Sequence, residues 1–210
     1  MKTSMLAVVG MLAAAAAFAG QVDFSKAKLK TPAALTEQAP AAYKAKFDTS
    51  KGVFVIEVHR AWSPNGADRF YNLVKNGFFD ETRFFRVVPG FMVQFGISGD
   101  PAIASVWQNT NIKDDPASGK SNTKGMVSFA TRGKDTRTTQ IFINYGNNAG
   151  LDKQGFTPFG EVTTGMDVVE KITDQYGEKP NQGQIQAEGN KYLTASFPKL
   201  DYVKKATIEK

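Results

Sequence analysis

Between Arg83 and Asp100 the sequence runs RFFRVVPGFMVQFGISGD. Two apolar, strand-like runs flank a Pro-Gly pair, and inside them sit one guanidinium, Arg86, and one carboxamide, Gln94. A guanidinium stays protonated and offers several donors in a rigid plane. Removing it from water is costly unless something pairs with it. Two readings follow. Arg86 forms an ordinary ion pair with a carboxylate such as Asp80 or Glu81, or it stabilises a polar group on a ligand. Period-two alternation puts Phe84, Arg86 and Val88 on one face, with Met92 and Gln94 together after the turn. Arg, Met and Gln beside bulky apolar groups read as the floor of a groove rather than as core.

Other chemistries find little support. The chain has no cysteine and a single histidine, His59. That excludes disulfides, thiol nucleophiles, Cys-ligated zinc and a histidine-rich metal site. His59 lies mid-strand in VIEVHR and reads as a strand residue, not a base. Asp114-Asp115 and Asn147-Asn148…Asp152 lack the ligand spacing and terminal Glu of a calcium loop, so loop polarity explains them better. No Gly-rich phosphate cradle stands at a strand-helix junction. No metal and no cofactor is expected.

The elements that must position Arg86 are mostly strands. In AYKAKFDTSKGVFVIEVHR, Tyr43, Ala45 and Phe47 alternate with Lys44, Lys46 and Asp48. Thr49 to Gly52 is a turn, and Val53 to Arg60 a second strand. Ser63-Pro64 opens a helix with Ser63 as cap, Ala67, Phe70, Tyr71 and Val74 mark its buried face, and Gly77 closes it. Gly96 to Gly125 is a long polar loop that Trp107 and Ile112 pin down; a loop of this length is usually functional. Met126–Ala130, Gln140–Asn144 and the Gly155–Val162 region are strands. In the second of these, Gln140 and Phe142 face one way and Ile141 and Ile143 the other. Met166, Val169 and Ile172 mark a second helix that ends at Gly177. Gln184–Leu193 reads as a short extra helix and Asp201–Glu209 as a last strand. Many strands with two well-marked helices predict a mainly β fold, a closed or nearly closed antiparallel sheet, because closure removes exposed edges.

The chain has 210 residues, 41% hydrophobic and 22% charged, with 16 Phe. That fits one globular domain with a well-filled core. Its N-terminus, MKTSMLAVVGMLAAAAAFAG, has a lysine, an apolar run from Met5 to Phe18 and a small-residue Ala17-Phe18-Ala19 site. This is the three-part pattern of a cleavable signal peptide over 1–19. The run is shorter than the ~20 residues of a spanning helix. The expected organisation is therefore a signal over 1–19, a lead-in over 20–40 and one folded domain over 41–210. The expected location is the periplasm or outside, with no stable membrane insertion after cleavage. Loss of Lys2 lowers the formal charge from +6 to +5. The remaining cations are scattered, so no nucleic-acid stripe is formed.

The run FFRVVPGFMVQFGISGD resembles the central signature of the cyclophilins, the peptidyl-prolyl cis-trans isomerases. Three later segments agree with that family in order: MVSFATRGKDTRTTQIFIN, LDKQGFTPFGEV and GMDVVEKI. The similarity spans Tyr43 to Ile172 and looks most like the exported bacterial branch. The resemblance implies a closed eight-stranded antiparallel β-barrel capped by two α-helices, with the proline site on the outer face of the sheet. It implies that Arg86 is the catalytic arginine and that Phe91, Met92, Phe142 and Leu151 form the proline pocket. Gln94 and Gln140 would align the peptide. Ala130 and Thr131 would run beside its backbone, and Phe156 would replace a rim histidine. For Phe91 to join Met92 in the pocket, the chain must twist or bulge just after Gly90.

The sequence also departs from the family. Phe85 stands where many members have histidine, and Gly150 occupies the place of a rim tryptophan, which implies weak cyclosporin binding. The partners implied are proline-containing polypeptides, namely exported proteins as they fold, with the enzyme a monomer. The alternative is a non-catalytic proline-peptide-binding chaperone module using the same groove.

Overall fold

The computed structural model describes residues 24–209, so the expected signal peptide over 1–19 lies outside the described residues. Eight strands form one antiparallel sheet: β1 (Ala42–Thr49), β2 (Gly52–His59), β3 (Arg86–Val88), β4 (Met92–Phe95), β5 (Met126–Phe129), β6 (Ile141–Asn144), β7 (Pro158–Thr164) and β8 (Val203–Glu209). Their order in the sheet is β3-β4-β6-β5-β7-β2-β1-β8. The sheet curls until its two edges meet. There Glu81 N–H donates to Val203 O, Val203 N–H to Thr82 O, and Phe84 N–H to Asp201 O. This seam is a short stitch with one isolated bridge, Arg83 to Tyr202, rather than a full ladder.

Helices α1 (Phe24–Ala27), α2 (Pro64–Lys75), α3 (Pro101–Trp107), α4 (Met166–Val169), α5 (Gln182–Glu188) and α6 (Asn190–Ser196), with four short 3-10 turns, complete the described elements. No helix among the described residues is long and apolar enough to cross a membrane.

The alternation in β1 holds: Tyr43, Ala45 and Phe47 are buried while Lys44 and Lys46 are exposed. Phe47 stacks on Phe54 at 5.0 Å and meets Phe79 and Phe95 edge-on at 5.6 and 5.9 Å. The phenylalanines thus fill the inside of the curl, and the groove forms outside it.

The lead-in is packed, not free. Leu29 is buried, and its carbonyl accepts a 2.8 Å hydrogen bond from the indole of buried Trp107. That contact ties the segment before β1 to α3, inside what reads from sequence as one long loop. Ile112 is also anchored, through its N–H to Arg137 O.

Four local expectations are corrected. Phe84 does not share a face with Arg86: it lies in the main core, because β3 begins only at Arg86 and alternation does not extend back through the irregular segment before it. Ser63 does not cap α2 with its side chain. Asp115 does so from across the loop, accepting from Asn65 N at 2.8 Å and Gly66 N at 3.0 Å, while the Ser63 hydroxyl donates to the same carboxylate. A carboxylate at a helix N-terminus satisfies orphan N–H groups and complements the helix dipole. The helix marked by Met166, Val169 and Ile172 is only one turn, Met166–Val169, and Ile172 follows it in a buried turn. The extra helix near Gln184–Leu193 is two, broken at Gly189. There φ is +60°, and a Cβ would stand 2.1 Å from Gly99 O, so only glycine permits this contact between the C-terminal segment and the 96–125 loop.

Candidate active site

The sheet register places the groove residues in one row. Arg86 on β3 pairs with Gln94 on β4, and Gln94 pairs with Phe142 on β6. The alternate row, Val87, Val93, Ile143 and Val127, faces the core. One pleat therefore separates the outer groove from the packed interior, as the Ile141/Phe142 parity predicts.

Phe91 reaches the groove through a turn. Val88 pairs with Met92, and Phe91 N–H donates to Val88 O at 3.0 Å. Gly90 sits at φ +73°, which the third residue of a type II turn requires and glycine supplies. Phe91 thus stands outside the ladder and escapes its alternation, so a turn, not a bulge in the ladder, brings it beside Met92.

Leu151 and Phe156 come from the far side of the groove, and a buried amide network sets their position. Asp152 accepts from the Ser121 hydroxyl, and from Asn122 N and Nδ2 at 2.9 and 2.7 Å. Asn122 Nδ2 also donates to Phe156 O at 2.7 Å. Burial alone would raise the Asp152 carboxyl, but the hydrogen bonds from Ser121 and Asn122 outweigh it and hold the group below the usual carboxylate range. The polar Asn147–Asp152 stretch is thus a structural clasp. Phe142 and Phe156 then meet edge-on at 5.7 Å.

These elements enclose a cavity of about 350 Å³. Every candidate residue lines it: Arg86, Phe91, Met92, Gln94, Ala130, Thr131, Gln140, Phe142, Leu151 and Phe156. Met92, Gln94 and Phe142 are buried, whereas Arg86 is about one-third exposed at its side chain. Ala130 N–H is committed to Gln140 O, and the Thr131 hydroxyl is engaged with Gly133 O and Thr136.

Arg86 does pair with a carboxylate, but with neither Asp80 nor Glu81. Its Nε donates to Glu178 Oε1 at 2.6 Å, with Nη2 2.5 Å from the same oxygen. Its Nη1 donates to Gln94 Oε1 at 3.1 Å, and Gln94 Nε2 donates on to Gln140 Oε1 at 2.8 Å. Asp80 instead accepts from Ala206 N. A guanidinium has five N–H donors; three are used here, which leaves two for a ligand. The ion pair and the place in the cavity lining therefore coexist. Glu178 holds the cation from behind without removing it from the hollow.

Glu178 is exposed, so the pair contributes about 0–1 kcal/mol. Its expected use is to fix the plane of the guanidinium. Glu178→Ala lowers turnover on an Ala-Pro peptide about two- to fivefold through kcat, with less effect at high salt where the pair is already screened. Steady-state kinetics at two salt concentrations measure it, and an unchanged kcat at low salt would remove this role from Glu178.

The sequence did not reveal Glu178, nor Gln108, Arg132, Thr136, Thr138, Gln182, Gly183 and Gln186, which also line the cavity. Thr136 and Thr138 lie within the quoted MVSFATRGKDTRTTQIFIN segment. The residues after Gly177 carry no local signal of facing a site.

Comparison with known proteins agrees with this fold. Residues 44–189 match the family model described as cyclophilin type peptidyl-prolyl cis-trans isomerase/CLD. A peptidyl-prolyl cis-trans isomerase of Acinetobacter baylyi is 36% identical over 142 residues, covering 63% of this chain and 75% of that relative. Peptidyl-prolyl cis-trans isomerase A of Dickeya dadantii is 35% identical over 158 residues, covering 72% and 81%. A solved cyclophilin type isomerase from Cryptosporidium parvum, in the presence of the dipeptide Ala-Pro, superposes with a TM-score of 0.60 at 19% identity, covering 80% of this chain and 99% of that one. That structure supports the fold, while the family match and the closer relatives carry the activity. With its outer groove, its curled antiparallel sheet and the match over residues 44–189, the chain belongs to the cyclophilin-type peptidyl-prolyl cis-trans isomerases.

Proposed function

We propose that this isomerase accelerates X-Pro rotation in exported or envelope proteins as they fold, with Arg86 as its catalytic group. The observation that carries the catalytic assignment is the Arg86–Gln94–Gln140 chain running beside the apolar hollow. The leader pattern over 1–19 supports the exported setting.

Amide resonance gives a rotation barrier of ~18–20 kcal/mol. At X-Pro bonds cis and trans differ by only about 1 kcal/mol, and uncatalysed exchange takes roughly 10–100 s. No bond breaks, so the chemistry asks for neither nucleophile nor redox group. In the twisted transition state the prolyl nitrogen becomes pyramidal and gains a usable lone pair. The two uncommitted Arg86 donors favour that state over either planar one, and only such differential binding speeds the step. Phe91, Met92, Phe142 and Leu151 hold the ring while the preceding carbonyl swings. Gln94 and Gln140 align the peptide. The apolar walls exclude water and strengthen the Arg86 interaction.

A turnover near ~10³ s⁻¹ would need a gain of about 10⁴–10⁵-fold, or roughly 5–7 kcal/mol. One charge-assisted hydrogen bond supplies about half. Ring confinement and desolvation supply the remainder. A protease-coupled assay on an Ala-Pro peptide tests the reading: catalysed exchange is expected, and binding without exchange would favour the non-catalytic chaperone module.

Weak cyclosporin binding follows from Gly150. A Cβ added there meets nothing within 4 Å, so the rim is open at this point. A side chain at this position therefore starts into open space. Gly150→Trp is expected to tighten cyclosporin about tenfold by adding an aromatic contact and an N–H donor. Calorimetric titration measures the change, and equal affinities would show that Gly150 does not set it.

A further inference from the structure

Apart from Glu178, the segment between α4 and β8 builds a groove wall to which nothing above gives a role. Its backbone covers the edge of β3, where Val87 N–H donates to Gly177 O at 3.1 Å. Its own small core consists of Phe85, Ile97, Ala104, Ile185, Leu193 and Leu200. Phe85, the residue that stands in place of the family's histidine, lies directly before β3 and belongs to this core. Asn190 locks the segment further, with its N–H on Gly99 O and its Nδ2 on Glu81 O, each at 2.9 Å. The wall is thus held from several sides.

Helix α5 turns Ile185 into this core and sets Gln182, Gly183 and Gln186 along the cavity. Gln182 and Gln186 are four residues apart and share one helix face. The Gln186 Oε1 atom is removed from solvent and has no hydrogen-bond partner. A buried acceptor left unpaired is unfavourable, and because Gln186 lines the cavity, a turn of its side chain would offer this acceptor to a ligand donor. The cavity lining also carries the neutral polar side chains of Gln108, Thr138 and Gln182, with Arg132 as its second cation beside Arg86. Such neutral side chains suit the backbone amides of an extended chain.

We propose that Gln186 is a specificity-determining residue. It accepts a backbone N–H from a peptide that continues past Arg86, so that α5 reads substrate length beyond the prolyl dipeptide. The proposal rests on the isomerase reading of the same groove and adds a subsite to it.

The test compares a blocked Ala-Pro tetrapeptide with a twelve-residue peptide carrying the same Ala-Pro at its centre. Exchange is followed by NMR, so both substrates report directly. In the wild type the longer peptide has the lower KM. Gln186→Ala is expected to reduce kcat/KM for the long peptide about five- to tenfold more than for the short one, through KM and not kcat. Gln186→Asn keeps the polarity of the helix face but withdraws the carbonyl by one methylene, and it should show the same selective loss. Equal losses on both peptides, or no loss on the long one in either variant, would overturn the proposal. A wild type inactive on both peptides would instead overturn the isomerase reading, and this inference with it.

Discussion

Arg86→Ala is expected to lower kcat/KM on an Ala-Pro peptide by about 10²-fold while leaving the fold intact. The magnitude follows from removing a charge-assisted hydrogen bond made in the twisted state, which is worth up to about 3 kcal/mol. The loss should fall in kcat, because the residues proposed to hold the proline ring, Phe91, Met92, Phe142 and Leu151, remain in the cavity. Stability should hardly change. Arg86 is partly exposed, and its Glu178 partner is already in water. Arg86→Lys is not a conservative rescue. An ammonium keeps the charge but cannot hold Glu178, Gln94 and a ligand in one plane, so about tenfold of the activity should still be missing. The protease-coupled assay, run beside a thermal melt, measures both quantities. Wild-type turnover in Arg86→Ala would refute the catalytic assignment whatever the groove looks like.

Asp115→Ala is expected to destabilise the fold by about 3–5 kcal/mol, the cost of leaving a buried guanidinium without its main partner. Arg137 is buried and places its Nη2 3.0 Å from Asp115 Oδ2, with the Lys113 carbonyl as a further acceptor. Asp114 Oδ1, 3.2 Å from Nε, offsets part of the loss. The same substitution uncaps α2, whose first N–H groups donate to Asp115. A second cation makes the region sensitive. Arg69 donates to the Thr110 and Thr138 carbonyls and lies over the Trp107 ring at 5.0 Å. Burial, with the Arg137 charge adding, pushes the Arg69 guanidinium down to about 10. It is still charged at neutral pH, and freeing Arg137 from Asp115 would increase the repulsion. For a chain of this size the midpoint should fall by roughly 10 °C. Urea denaturation of the variant measures the change directly, and a loss below about 1 kcal/mol would show that Asp114 and the carbonyls suffice. Asp115→Asn keeps one acceptor for the helix but neither the second nor the charge, and should fall between the wild type and Asp115→Ala. Activity should decline with stability, because Arg137 adjoins Thr138 and Thr136 in the groove lining.

The neutral look of Asp114-Asp115 in the sequence shows where local reading stops. Two adjacent acids in a long polar loop give no hint that one caps a helix fifty residues earlier. Ser63 before Pro64 satisfies every local rule for a cap. The hydroxyl was nonetheless taken by Asp115, because a carboxylate offers two acceptors, enough for both N–H groups and a buried arginine. Likewise, Phe84 has the right parity to sit beside Arg86, yet the chain before β3 is irregular, and parity has force only where a ladder exists.

The sequence by itself determined which row faces the groove. Arg86, Gln94 and Phe142 lie on short strands whose alternation sets their face, whereas Phe91 reaches it through the Pro89-Gly90 turn and not by alternation. Local geometry suffices there, because side-chain direction in a strand is set residue by residue. Only the tertiary structure decided what stands behind and opposite that row. Glu178 lies 92 residues from Arg86, and Gln186 faces the cavity on a helix held by a satellite core rooted at Phe85. No period or motif carries those contacts, because packing between distant segments, not local propensity, places them.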